Sequence, residues 1–431
     1  MKKRVVITGL GVVSPNGIGK SDFNKAIKEG RSGIRHLKEL EELKFESQIG
    51  GLPPVTEAHI AKYFTELELR KFNSDAILYG VIAGMQAWAD AGLDLNAGSE
   101  PDWDSGAIMG IGSMAANKMR EGTMAVDGLK VKKLGSNFVI QTMPSGVSAY
   151  LAGKLGLGNQ VTTNSSACAT GTESILMAYE RIANGKALRM IAGGTNEGGQ
   201  YAWAGFEAMR VATYKHNHEP ERGSRPMSAD ASGLVMGAGA GALLLESLDS
   251  AMARGAYIYG ELLGGQMNTG GQRGDGSMTL PNSVGVQRCI KEALANAGVE
   301  GHEVDAINGH LTSTGKCSLE IQNWSDALNR SGRDFPYVTA LKSMIGHTLG
   351  AAGGIESVAA VMQLDEGFLV PNLNCEILDP AIAKIVHEDS IPRAFLKKDL
   401  NIIAKSSFGF GDVNAVIIFK KYGDPCSEMM L

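Results

Sequence analysis

A chain of 431 residues with 44% apolar and 20% charged residues has the make-up of an ordinary globular protein with ample material for a core. Its formal net charge of −5 leaves no general footprint for nucleic acid or an anionic membrane, so an anionic partner would need a local basic patch. No apolar run approaches the ~18 residues of a membrane span, and the run after Met1-Lys-Lys-Arg4 is too short for a signal peptide.

Residues 4–8 read as a buried strand, followed by the turn Gly9-Leu-Gly-Val-Val-Ser-Pro-Asn-Gly17 and a helix over 21–29. This is not a dinucleotide fingerprint: Ser14 stands in place of the third glycine, and Pro15 and Gly17 interrupt the helix that should follow. The spacing of Phe72, Ala76, Tyr79, Ile82, Ala83, Ala87 and Ala91 predicts a helix over 69–91, with Arg70 and Lys71 near its start. A short strand is expected at 107–112. The polar, lysine-rich stretch 117–137 reads as a mobile or partner-facing excursion, and 145–156 as a helix.

The next stretch, Asn164-Ser-Ser-Ala-Cys-Ala-Thr-Gly171, puts Cys168 among small residues at the start of a helix that stops at Asn184-Gly185. Unpaired N–H groups and the positive end of the helix dipole favour a thiolate there, and the small neighbours admit a substrate carbonyl. The same pattern also fits a buried apolar cysteine. The five cysteines at 168, 289, 317, 375 and 426 form no CxxC pair and no metal-ligand spacing, which suggests free thiols, a reducing compartment and a cytoplasmic location.

A strand follows at 190–194, then a polar loop over 214–226 whose His216 and His218 read as exposed rather than metal-binding. Gly237-Ala-Gly-Ala-Gly241 leads into a strand over 242–246, a packing feature and not a phosphate cradle. A second alternation of strands and helices starts near residue 257 and continues through 286–298, 306–308, 338–339, 354–364 and 402–404. Two sequential α/β halves are therefore expected, 1–250 and 251–421, with a tail over 422–431. Parallel strands are expected because helices separate them.

Three loops of the second half bear chemistry. Asn308-Gly-His-Leu-Thr-Ser-Thr-Gly315 places His310 after a strand beside Thr312 and Thr314. Leu341-Lys-Ser-Met-Ile-Gly-His-Thr-Leu-Gly-Ala-Ala-Gly-Gly-Ile-Glu356 carries Lys342, His347 and Glu356, and Ser406-Ser-Phe-Gly-Phe-Gly-Asp-Val-Asn414 is lined by backbone N–H groups and two phenylalanines. A cysteine with two histidines in such loops suggests acyl transfer, with a sulfur nucleophile, donors or bases, and backbone groups for an oxyanion.

On these motifs, spread from Lys3 to Lys421, the chain resembles the β-ketoacyl-acyl carrier protein synthases of the type I/II group, leaning toward type I. The resemblance implies a thiolase-like fold of two similar halves packed as α-β-α-β-α layers. It implies that Cys168 takes an acyl chain, that His310 and His347 hold the enolate of a decarboxylating malonyl thioester, and that Lys342 and Glu356 fix the histidines. It makes Phe408 the gating aromatic and, with Cys168, the oxyanion donor, and it sets Thr312 and Thr314 against the phosphopantetheine arm. Ile111, Ser113 and Phe206 are expected along an acyl tunnel. Arg70, Lys71, Lys130, Lys132 and Lys133 are expected to meet an acidic acyl carrier protein. A homodimer is implied, with no metal and no cofactor beyond the carrier's phosphopantetheine. Leu311, Gly315 to Ser318 and Asp412-Val413 depart from the family's usual residues. A ketosynthase of a specialised polyketide or polyene pathway and a non-catalytic chain-length partner are the alternatives, the latter disfavoured by the presence of Cys168.

Overall fold

The computed structural model describes residues 2–423 apart from 71, 97 and 114. Its main sheet is built from β1 (Val5–Ser14), β2 (Ser105–Ile111), β3 (Val161–Thr162), β4 (Arg189–Asn196), β5 (Gly239–Ser247), β6 (Gly260–Thr269), β7 (Ala306–Asn308), β8 (Tyr337–Thr339), β9 (Ile402–Gly409) and β10 (Val413–Lys420). The strands lie in the order β8-β7-β9-β10-β6-β1-β5-β4-β2-β3. Each half thus repeats one arrangement of its own strands: first, fifth, fourth, second, third. The halves join where β1 and β6 pair antiparallel, Val5 opposite Leu262 and Ile7 opposite Gly260.

The expectation of parallel strands holds only in part. Pairing is parallel between β2 and its neighbours β3 and β4, and between β7 and its neighbours β8 and β9. Around the centre it is antiparallel: β4 with β5, β5 with β1, β6 with β10, and β10 with β9. The physical reason is clearest at β9 and β10, whose three-residue connection is too short for a crossover.

The helices that matter are α1 (Lys20–Glu29), α2 (Asp75–Asp90), α3 (Ala116–Asp127), α4 (Gly146–Leu155), α5 (Thr170–Ala183), α6 (Gln200–Ala208), α7 (Ser283–Ala297), α8 (Cys317–Leu328) and α9 (Ala352–Glu366). In the middle layer, α5 packs on β4 and β2 and also reaches β6 and β10, while α9 packs on β5 and β4 and also on β9. On the outside, α2 covers β1 and β5, and α7 covers β6 and β10. That is the layered α-β-α-β-α arrangement. Of the middle helices α9 is the more enclosed, every residue from Ala352 to Leu364 being buried.

Three expected elements differ. The turn expected over 9–17 is confined to Pro15-Asn16, and the strand runs on to Ser14; a Cβ at Gly11 would lie 1.8 Å from the Ala83 carbonyl oxygen of α2, so the glycines let helix and strand touch. The helix expected from 69 begins at Asp75, leaving Arg70 in a turn, and the lysine-rich excursion is ordered as α3 plus a short turn at Val131–Lys133. From residue 424 on, the expected tail lies outside the described residues, as does Lys71. Among the described residues no helix is long and apolar enough to cross a membrane.

Candidate active site

The two halves deliver their functional residues through one kind of turn. Cys168 sits in the 3₁₀ turn Ala167–Ala169, entered at Ala167 with φ 50°, which runs straight into α5. His347 sits two residues before the 3₁₀ turn Leu349–Ala351, entered at Leu349 with φ 52°, which runs into α9. The two helix starts touch backbone to backbone: a Cβ at Gly171 would come within 2.6 Å of the Gly354 nitrogen, and one at Gly354 within 2.3 Å of the Gly241 carbonyl oxygen. Only glycines allow that approach, which accounts for glycine-rich segments around both residues. His310 follows the end of β7, and Phe408 lies near the end of β9.

These elements bring the three expected groups together. His347 Nε2 lies 3.1 Å from Cys168 Sγ, and the two imidazole rings stand edge to face with centroids 5.2 Å apart. The Leu349 backbone N–H donates to His347 Nδ1 at 3.2 Å, so the neutral ring carries its proton on Nε2, facing the sulfur. Lys342 and Glu356 form a fully buried ion pair. The Cys and His ligand atoms all lie within 4.8 Å of one another, a spacing that would admit a soft cation, but buried lysines repel one there.

Burial dominates the electrostatics. It pushes the Cys168 thiol up to about 11, against the opposing pull of Lys342 and of the Phe410 and Cys168 backbone N–H groups. The expected resting thiolate is thereby corrected to a thiol, because desolvation of the charged form outweighs the turn's dipole. Both imidazoles are held well below 6.5, first by burial and then by Lys342, with Lys405 adding to the same effect. They are uncharged at neutral pH. The oxyanion position is corrected as well: the N–H facing the sulfur from the phenylalanine loop belongs to Phe410, while Phe408 continues the β9 ladder opposite Asn414. The Phe408 ring instead packs edge-on against His310, at 6.2 Å.

A cavity of about 410 Å³ opens onto the trio and is lined by Cys168, His310, His347, Phe206, Thr312 and Thr314, among others. Thr312 and Thr314 face each other, their hydroxyl oxygens 3.0 Å apart, and Phe206 lies against Phe410 with ring centroids 6.2 Å apart. Ser113 and Ile111 do not line it. Ser113 accepts a hydrogen bond from Asn196 Nδ2 at 3.2 Å. Arg70, Lys130 and Lys132 are exposed and away from the lining, and Lys133 borders a different cavity beside Phe72 and Phe138. The cationic side chain that does line the Cys168 cavity is Lys316.

Two participants escape a reading of the residues alone. Glu320, fully buried on α8, accepts the N–H groups of His310 at 2.7 Å and Leu311 at 2.8 Å and so fixes the histidine loop. Lys405, fully buried on β9, lies 2.8 Å from Glu356 Oε2. The signal for Lys405 is a lysine directly after the apolar run Ile402-Ile403-Ala404; Glu320, one acid in a mixed helix, gives none.

Comparison with known proteins matches the chain as a whole. The model of the beta-ketoacyl synthase N-terminal domain matches residues 2–251 and that of the C-terminal domain residues 259–376. The 3-oxoacyl-[acyl-carrier-protein] synthase 1 of Haemophilus influenzae is 34% identical, covering 97% of this chain and 99% of that protein. A beta-ketoacyl synthase from Burkholderia phymatum superposes with a TM-score of 0.89 at 30% identity, covering 98% of this chain and all of that one. A type II PKS acyl-carrier protein in complex with its ketosynthase bound to the hexaketide superposes with a TM-score of 0.86 at 27% identity over 98% of this chain and all of that one. With both halves matched and its fold shared by these neighbours, the chain belongs to the beta-ketoacyl synthase family.

Proposed function

We propose that the protein is a 3-oxoacyl-acyl carrier protein synthase of fatty acid elongation. The observation that carries this reading is a thiol 3.1 Å from an imidazole nitrogen, with a second uncharged imidazole alongside, in one apolar-lined cavity. The Cys168 sulfur attacks the acyl thioester of a carrier protein; the new C–S bond replaces the old one, and the thiol proton ends on the released carrier thiol. The N–H groups of Cys168 and Phe410 are placed to hold the tetrahedral oxyanion.

Malonyl carrier protein then loses CO2, and the electron pair of the broken C–C bond moves onto the thioester oxygen. A neutral imidazole N–H suits that developing enolate better than an imidazolium, which would bind the malonyl carboxylate of the ground state more tightly. The enolate carbon attacks the acyl-Cys168 carbonyl, the C–S bond breaks, and the Cys168 thiolate takes up one proton. Thr312 and Thr314 in the cavity lining suit the amides of a phosphopantetheine arm, so no other cofactor is needed.

The carrier protein is the expected macromolecular partner, approached through the mouth that Lys316 lines. A homodimer is supported by exposed apolar side chains on and after α3: Met119, Met124, Val126, Leu129, Val131 and Val139. A cytoplasmic location fits the four described cysteines, all free. Purified protein incubated with a panel of acyl carrier proteins and malonyl carrier protein should give 3-oxoacyl products two carbons longer, with CO2 released. Absence of an acyl adduct on Cys168 with every donor would overturn the reading, and a preference for polyketide starters would move it to a specialised pathway.

A further inference from the structure

A lysine in a strand ordinarily keeps its ammonium in water, but Lys405 on β9 is 0% exposed, three residues before Phe408. Its ammonium donates to the Ser406 carbonyl at 2.6 Å and to Ser407 Oγ at 2.6 Å, and it forms an ion pair with Glu356 Oε2 at 2.8 Å. Glu356 Oε1 is taken by Lys342, so one carboxylate bridges two ammoniums. From Ser407 the contacts continue to Thr172 Oγ1 at 2.9 Å, on the helix that follows Cys168. Glu320 completes the group, accepting from the Ser406 hydroxyl at 3.2 Å and from the backbones of His310 and Leu311. A single ammonium would suffice to neutralise Glu356, and nothing in the condensation as written uses a second.

We propose that Lys405 is a positioning residue of the condensing site, a second buried positive charge behind His310 and His347 that also ties the strand leading to the Phe410 N–H to the helix carrying Glu356. The inference rests on the condensing function above. Removing a strongly hydrated group from water is costly, and a buried lysine persists where other charges hold it. Here burial pulls the ammonium below its usual range while Glu356 and Glu320 pull it back up.

The charge matters to the imidazoles. Lys342, from the segment before α9, and Lys405, from β9, act on both rings, and His347 acts on His310; Glu356 from α9, Glu320 from α8 and the Cys168 thiol are the other titratable groups packed around them. Lys342 and Lys405 both disfavour the imidazolium form of each ring. With Lys405 neutralised, the rings take up a proton at higher pH and lose the uncharged donor form sooner as pH falls.

The test is the pH profile of malonyl carrier protein decarboxylation by wild type, Lys405→Met, Lys405→Gln and Lys405→Arg. The two neutral variants should show an acid limb moved up by about one pH unit, so that their loss relative to wild type grows as pH falls and approaches about tenfold below both limbs. Lys405→Arg, which keeps the charge, should keep the wild-type limb whatever its overall rate. Neutral variants with the wild-type limb, or an arginine variant displaced as they are, would overturn the proposal. If the neutral variants do not fold, Lys405→Arg alone decides by the same criterion. A wild-type protein that neither decarboxylates malonyl carrier protein nor condenses would overturn the function itself, a separate outcome from an unmoved limb.

Discussion

The two halves of the molecule share a strand order, a positive-φ turn and a central helix, yet they furnish opposite kinds of surroundings. In the first half, the start of α5 is held mostly by neutral groups, with one acid: Thr170 accepts the Ser166 N–H, Ser174 donates to the Asn164 side chain, and Asn164 Nδ2 donates to Glu173 at 2.7 Å. In the second half, His347 and the start of α9 are backed by Lys342, Glu356 and Lys405, all buried. A duplicated scaffold thus supplies geometry, and a few polar replacements in one copy supply the field. The nucleophile needs room and oxyanion donors; the imidazoles need neighbouring cations that keep them neutral.

The comparison predicts unequal consequences. Cys168→Ala should abolish the acyl adduct by mass spectrometry and lower condensation by at least about a thousandfold, while malonyl decarboxylation, the work of the second half, continues. If decarboxylation stopped as well, the division of labour would be wrong. His310→Ala and His347→Ala should do the converse, slowing decarboxylation by about 10²- to 10³-fold, the range for removing one oxyanion donor. Acylation of Cys168 should survive His310→Ala, measured by the same adduct.

Packing gives a sharper contrast. Gly354→Ala in the middle layer puts a Cβ against backbone at 2.3 Å and should cost about 3 kcal/mol, read as a lowered midpoint in denaturant. Gly153→Ala on outer helix α4, where a Cβ meets nothing within 4 Å, should stabilise by about 0.5–1 kcal/mol. Stability also depends on pH. Below about pH 6.5 the unfolded chain binds protons at His310 and His347 that the folded chain refuses. Stability therefore rises with pH in that window and is lost as pH falls. The slope is at most about 1.4 kcal/mol per pH unit for each ring and should shrink in His310→Gln.

How much of this was legible beforehand differs by kind of feature. Strands with uninterrupted apolar runs, such as 242–245, and the helix start after Cys168 follow from pattern alone, because a buried element must be apolar. The trio of Cys168, His310 and His347 was legible through its motifs. Gly9 and Gly11 misled, since a glycine that admits a neighbouring backbone looks like one that makes a turn. Antiparallel pairing at the centre was hidden because it depends on which distant strand returns beside β1. Phe410 rather than Phe408 faces the sulfur for a similar reason: the ladder with β10 decides which N–H is free. Glu320 acts through the nearby His310 and Leu311 N–H groups and through Ser406, 86 residues away, and no local spacing announces it.

The central claim is that both imidazoles stand uncharged beside a thiol, with the His347 proton on Nε2. Nitrogen-15 NMR of histidine-labelled protein, followed from pH 8 down to pH 6, reads charge and tautomer directly. Two neutral buried rings across that range, with His347 protonated at Nε2, is the predicted result. An imidazolium signal from either ring at pH 7, or a His347 ring protonated at Nδ1, would contradict it.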